Sequence, residues 1–225
     1  MATRPAKCCK ACDYSPPTAT ASYWRKIDGK SNHSARAANH SRLLTDMPLT
    51  QRTHLIRPSR DEDLPAIAAI YAHHVLHGTG TFEEDPPSVE EMLVRFHKVV
   101  DRGCVWLVAA DATGVLGYGY YAPFRDRSAY RYTVEDSIYV REDVRGQGVG
   151  KALVLRLIAL ATAAGLRQMI AVIGDSDNVG SIGVHASLGF HMIGTMKSAG
   201  IKFGQWVDVV TMQRPLGKGD ANIPA

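Results

Sequence analysis

The run Arg145-Gly146-Gln147-Gly148-Val149-Gly150-Lys151 lies between a β-branched stretch, SIYV, and an apolar helical one, ALVLRLIALA. An ordinary turn needs one glycine. Three at alternate positions, opening a helix, bare several backbone N–H groups at the helix's positive end and keep Cβ atoms out of an anion's path. Arg145 and Lys151 add positive charge, so a diphosphate is the fitting guest. Two familiar loops fail the test. A Walker loop would need glycine and Ser or Thr where Arg145 and Ala152 stand, and a dinucleotide fingerprint would need glycine where Lys151 stands. His73 and His77, in HHVLH, imitate the spacing of a zinc-protease helix, but His74 occupies the place of its glutamate. Packing or surface histidines are expected there, and no metal.

The elements around this turn follow from patterning. HLIRP (54–58) reads as a strand, and Ser59 as the cap of a helix carrying Ile67, Ile70, Tyr71 and Val75 at helical spacing. PPSVEEMLVRFHKVVDRG gives a second helix capped by Ser88 and stopped at Gly103. Strands are expected at 104–111 and 115–124, joined by a hairpin, and at 128–140, with Tyr130, Tyr132 and Val134 alternating. After the glycine turn and its helix come a buried strand (167–174), a short helix ending at Gly189, and two antiparallel strands. Early helices, a meander and one late crossover predict a mixed α/β (α+β) fold, a mostly antiparallel sheet flanked by helices.

Charge is unevenly placed. Of the net +4, residues 1–46 carry eight Lys or Arg against three Asp, which leaves the remainder at −1 and argues against nucleic-acid binding. Residues 1–50 lack periodicity and are expected to be a disordered extension, either an over-extended start before Met47 or a segment faintly like a transit peptide. The domain is expected at 51–217, with a tail at 218–225. No run suits a membrane span or a secretory signal, so the cytoplasm is the expected home. Cys8, Cys9 and Cys12 (CCKAC) form at best half a zinc site, and Cys104 reads as a small buried hydrophobe.

Arg-x-x-Gly-x-Gly (Arg145, Gly148 and Gly150) between strand and helix resembles the coenzyme A loop of the GNAT superfamily of N-acetyltransferases. TFEEDPPS, YRYTVEDSIYV, AVIGDSDNVGSIGVHASLGF and GIKFGQWVDVVTMQ, in that order, are similar to stretches of its phosphinothricin and methionine sulfoximine branch. The resemblance spans about residues 52–215. It implies the GNAT acyl-CoA N-acyltransferase fold, acetyl-CoA as co-substrate, a small anionic amine as acceptor and a homodimer. Ile138, Tyr139 and Val140 would offer main chain to the pantetheine arm, Arg145, Gly146, Gln147, Gly148, Val149, Gly150 and Lys151 would hold the pyrophosphate, and Asn178 would both contact the cofactor and cap its helix. Glu135 matches the general-base position, with Asp136 on the opposite strand face. His185 would aid proton movement or simply pack. Phe82, Arg125, Arg127 and Tyr130 would frame the substrate, arginine's planar fork suiting carboxylate and phosphinate alike. Acetylation of protein N-termini or lysines, and acyl-CoA sensing without turnover, are the alternatives.

Overall fold

Along residues 106–109 the side chains divide between two cores: Trp106 and Val108 pack to one side of the sheet, Leu107 and Ala109 to the other, all four buried. That alternation is the period of a strand covered on both faces. The computed structural model describes residues 54–224. The leader expected at 1–50, with its three cysteines, lies outside them.

The described chain runs β1 (Leu55–Pro58), α1 (Leu64–His77), α2 (Val89–Val100), β2 (Trp106–Asp111), β3 (Gly114–Pro123), β4 (Thr133–Val140), α3 (Val149–Ala163), β5 (Gln168–Gly174), α4 (Val179–Ser187), β6 (His191–Lys202) and β7 (Gln205–Pro215). Seven strands form one sheet in the order β1-β2-β3-β4-β5-β7-β6, antiparallel except where β4 meets β5. The mixed, mostly antiparallel fold expected from the patterning is therefore observed.

α3 forms because Val149, Leu153, Val154, Leu157, Ile158 and Ala161 recur on one stripe, and it buries them with Leu116, Met169 and Ala171 of the sheet. α1 and α2 cover the opposite face with Ile67, Tyr71, Val75, Met92 and Phe96. Ser88 caps α2, its Oγ accepting the Glu91 N–H at 3.2 Å.

Two boundaries differ from expectation by more than a residue or two of fraying or in how they are capped. Ser59 does not cap α1. Arg57 grips both oxygens of Asp63 at 2.7 Å, and the Arg60 N–H adds a bond at 2.8 Å, so a carboxylate organises that entry through a short 3-10 turn. The fourth strand, β4, begins at Thr133 rather than Ser128, because Ser128–Tyr130 close a 3-10 turn through the Tyr130 N–H to the Arg127 carbonyl at 2.9 Å.

The parallel β4–β5 pair matters most for function. Its register runs only from Thr133↔Gln168 to Asp136↔Ala171, although β4 continues to Val140 and β5 to Gly174. Beyond Asp136 the two strands part, while β4 keeps its pairing with β3 to Gly117↔Val140. A V-shaped cleft opens there, one wall being the main chain of residues 137–140.

Candidate active site

At the open end of β4 the chain makes a short 3-10 turn, Glu142–Val144, and then enters α3 through the glycine run. Gly146 and Gly148 have φ of 75° and 84°, and a Cβ built on either meets nothing within 4 Å, so both positions need glycine and face open space. Gly150 is different. It lies in the first turn of α3, where an added Cβ would rest at 3.5 Å from Val140 Cγ2 and 3.6 Å from Ile138 Cδ1, an ordinary contact. Two glycines thus shape the turn and the third seats the helix on β4. No side chain caps α3, so its first N–H groups stay available to an anion. Arg145 is beside them, held by Glu142 at 2.9 Å, and Lys151 is exposed.

Strand alternation splits the acids of β4. Glu135, Ser137 and Tyr139 face α1 and α2, whereas Asp136, Ile138 and Val140 face α3 and α4. Burial raises the Glu135 carboxyl above the usual carboxylate range; Arg125 pulls it part of the way back, and Asp136 adds to the rise. On that same face, a cavity of about 450 Å³ opens between α2 and the end of β3. Arg95, Lys98, Arg102 and Arg125 line it over Trp106 and Tyr120. Asp126, its acidic wall, is engaged by Arg102 at 3.0 Å. Ala122, also in the wall, is the register partner of Glu135, so the carboxylate stands at the cavity's edge. The arrangement suits an amine beside Glu135 with an anionic group among the cations.

On the other face, His185 is buried, 2% exposed, and bonded at both nitrogens. Nδ1 lies 2.8 Å from the Ser181 carbonyl, which can only accept, and Nε2 lies 3.0 Å from Asp136 Oδ2. Both nitrogens therefore carry protons against a carboxylate: an imidazolium–carboxylate pair. Burial lowers the His185 pKa, but the bond and charge of Asp136 outweigh it and leave it raised. Asp136 Oδ1 is buried without a donor among the described residues, at the point where β4 and β5 part.

Residues 56–211 match the acetyltransferase (GNAT) domain model. The chain belongs to the GNAT acetyltransferase family. It is 53% identical over 169 residues to the phosphinothricin N-acetyltransferase of Alcaligenes faecalis, covering 75% of this chain and 86% of that protein. It is 43% identical over 159 residues to the L-methionine sulfoximine/L-methionine sulfone acetyltransferase of Pseudomonas aeruginosa, covering 70% and 92%. A solved GNAT superfamily phosphinothricin acetyltransferase from Sinorhizobium meliloti, in complex with AcCoA, superposes with a TM-score of 0.74 at 47% identity, covering 77% of this chain and 94% of that one.

This acetyltransferase gathers its sequence-predicted residues unevenly. Residues 138–140 and 145–151, the set expected to meet the cofactor, run from the end of β4 through the glycine turn into the first turn of α3. Asn178 caps α4, Oδ1 accepting the Ser181 N–H at 3.2 Å, and Nδ2 reaches the Gly174 carbonyl at 3.4 Å. Arg125 lies over the Phe124 ring at 4.2 Å, and Tyr130 meets the same ring edge-on at 5.7 Å. Arg127 is exposed at the head of the Ser128 turn. Phe82 packs on Gly200, where an added Cβ would sit 2.5 Å from its ring. His185 does not share an open face with Asn178; it is turned inward to Asp136. The sequence reading missed Asp136 as the histidine's partner, Lys98 and Arg102 in the cavity, and the Tyr71–Glu83–Arg95 network bonded at 2.9 and 2.7 Å. His73 approaches Glu142 at 3.6 Å and His74 Nε2 bonds the Val140 carbonyl at 3.0 Å; no metal-binding cluster exists among the described residues.

Proposed function

We propose that this acetyltransferase uses acetyl-CoA to acetylate the α-amino group of a small anionic amino acid, of the phosphinothricin or methionine sulfoximine kind. The observation that carries the reading is Glu135, a carboxylate raised by burial, at the edge of a cavity lined by Arg95, Lys98, Arg102 and Arg125. Its support from relatives is the acceptor named for the Alcaligenes and Pseudomonas enzymes.

Acetyl-CoA would supply the thioester carbonyl that the amine attacks, the C–N bond forming as the C–S bond breaks and coenzyme A leaving as a thiolate that takes up a proton to become the free thiol. The open positions at Gly146 and Gly148 and the uncapped start of α3 fit its diphosphate, with Arg145, Gln147, Val149, Gly150 and Lys151 around it. The main chain of Ile138, Tyr139 and Val140 fits the pantetheine arm, and Asn178 borders it from α4. An α-amino group has a pKa of about 8, so Glu135 takes the proton, directly or through one water. A raised pKa brings this base nearer to neutrality. Arg125, Arg127 and Tyr130 orient the acceptor's anionic groups, and Phe82 walls its apolar part. His185 is a positioning residue, acting through Asp136 on the strand that carries Glu135.

Release of coenzyme thiol with a panel of amines tests this reading. Phosphinothricin, methionine sulfoximine and methionine sulfone should release thiol. Turnover with peptide amines alone would shift the enzyme to protein N-termini or lysines, and coenzyme binding with no turnover on any amine would leave a sensor. The charge on Arg125 gives a finer check. Because Arg125 favours ionised Glu135, Arg125→Gln should move the acidic limb of the kcat/KM–pH profile to higher pH; an unmoved limb would assign it to another group.

We further infer a homodimer through the β6–β7 hairpin. β6 is an edge strand, and Met192, Ile193, Met196, Ile201, Phe203 and Trp206 on the hairpin are each at least half exposed. Trp206→Glu should yield a monomer by sedimentation; an unchanged mass would remove this surface from the interface. No described helix is long and apolar enough to cross a membrane. The nearly neutral domain and the unpaired Cys104 thiol, pushed up to about 11 by burial, suit a cytoplasmic enzyme without nucleic-acid or membrane partners.

A further inference from the structure

Residues 78–88 form an irregular strap between α1 and α2, and they are tied to both sides of the V-shaped cleft. On the α1–α2 side, Thr81 Oγ1 bonds Tyr71 Oη at 2.9 Å, while Glu83 accepts from Tyr71 at 2.9 Å and from Arg95 at 2.7 Å. On the other side, Gly174 at the end of β5 leaves room for the strap: a Cβ there would lie 2.5 Å from the Thr79 carbonyl oxygen. Gly200 on β6 does the same for the Phe82 ring. The last tie is a charge. Lys202, at the end of β6 and only 1% exposed, donates from Nζ to the Thr81 carbonyl at 2.8 Å.

A buried ammonium is expensive and is seldom kept without a partner or a task. No carboxylate bonds it directly, though Glu84 and Glu83 of the strap favour its charge from farther off; among the described residues its hydrogen-bond partner is that one carbonyl, with the Phe203 ring 5.1 Å away. The Thr81 carbonyl precedes Phe82 and lies two residues from Glu83, so fixing it fixes the stretch of the strap that carries both side chains.

We propose that Lys202 is a positioning residue for amine recognition, latching the strap to the β6–β7 hairpin and so holding Phe82 at the acceptor's side of the cleft. This rests on the reading above that Phe82 walls the amine site. With the latch made, the wall is rigid and the acceptor meets a preformed pocket. With it broken, each binding event must order the strap first, which weakens the acceptor's binding and leaves the coenzyme's untouched.

Lys202→Met keeps the length of the side chain and removes the donor. Gly200→Ala leaves Lys202 in place and pushes a methyl into the Phe82 ring. The expected result for Lys202→Met is amide exchange at residues 79–84 faster by about tenfold, the equivalent of one lost buried hydrogen bond. KM for methionine sulfoximine should rise by a similar factor, about tenfold, with kcat and the acetyl-CoA Kd changed by less than about threefold. Gly200→Ala should raise the same KM, with the same coenzyme affinity. Unchanged exchange in Lys202→Met overturns the latch, and so does a freed strap with an unchanged KM. Should Lys202→Met fail to fold, Gly200→Ala decides: an unchanged KM there overturns the proposal. If the wild-type protein acetylates none of the amines offered, the acceptor reading fails by itself, and the exchange measurement still tests the latch.

Discussion

Glu135→Gln is expected to lower kcat/KM by about 10²–10⁴-fold while acetyl-CoA binds as before. The glutamine keeps the shape of the side chain and its place beside Ala122, but it cannot take a proton from the amine. Coenzyme affinity is spared because the residues assigned to the diphosphate lie beyond Val140, at the far end of the strand. A second effect has the opposite sign. Because burial raises its folded pKa, Glu135 contributes its full stability below the ordinary carboxylate pKa, and loses it as pH rises through the raised value. At neutral pH the ionised carboxylate therefore works against the fold, and the glutamine variant should melt at a slightly higher temperature. A variant that turned over at the wild-type rate would remove Glu135 from the chemistry. One that melted lower would contradict the burial cost.

Asp136→Leu should cause the largest loss of stability. His185 would be left buried with no partner for Nε2 and no carboxylate to support its charged form, and breaking a buried ion pair costs about 3–5 kcal/mol. For a domain of this size that is a fall in melting temperature of about 10 °C. Asp136→Leu with His185→Leu replaces both charges by apolar groups and should recover most of the loss. The double variant also separates two roles. If His185 positions β4, turnover in the refolded core should stay within about tenfold of wild type; a much greater loss would make His185 a proton donor. The pair also has a pH signature. The raised His185 pKa means that its contribution is whole below about 6.5, the ordinary histidine value, and fades as pH rises through the folded value. Wild-type melting temperature should therefore decline on that alkaline side, and the double variant should be flat across it.

Local patterning carried much of this architecture. The Ser88 cap, the stripe on α3, the hairpin after Asp111 and the crossover at the glycine turn are decided within a few residues, so they can be read from the chain alone. Glu135 and Asp136 were assigned to opposite faces by strand alternation, and their partners agree. What stayed hidden is long-range. Asp136 and His185 lie 49 positions apart, and Lys202 and Thr81 lie 121 apart, so no spacing rule connects them. Ser59 misled for a related reason. A hydroxyl before acids looks like a cap, but Arg57 had already recruited Asp63 from across the turn. The cavity's Lys98 and Arg102 resemble any solvated helix end until the end of β3 is folded against them.

The short β4–β5 ladder has one more consequence. Each half of the sheet carries long antiparallel pairings of its own, and only four register pairs join the halves along that border. Gly165, exposed and at a φ of 81°, turns the chain just before it crosses from one half to the other. A polypeptide divided at Gly165 would place the glycine turn and Glu135 on one fragment, and His185 and Lys202 on the second. Enzymatic signal would then appear only when both fragments meet, which makes this bond a rational point of division for a two-piece reporter of molecular proximity.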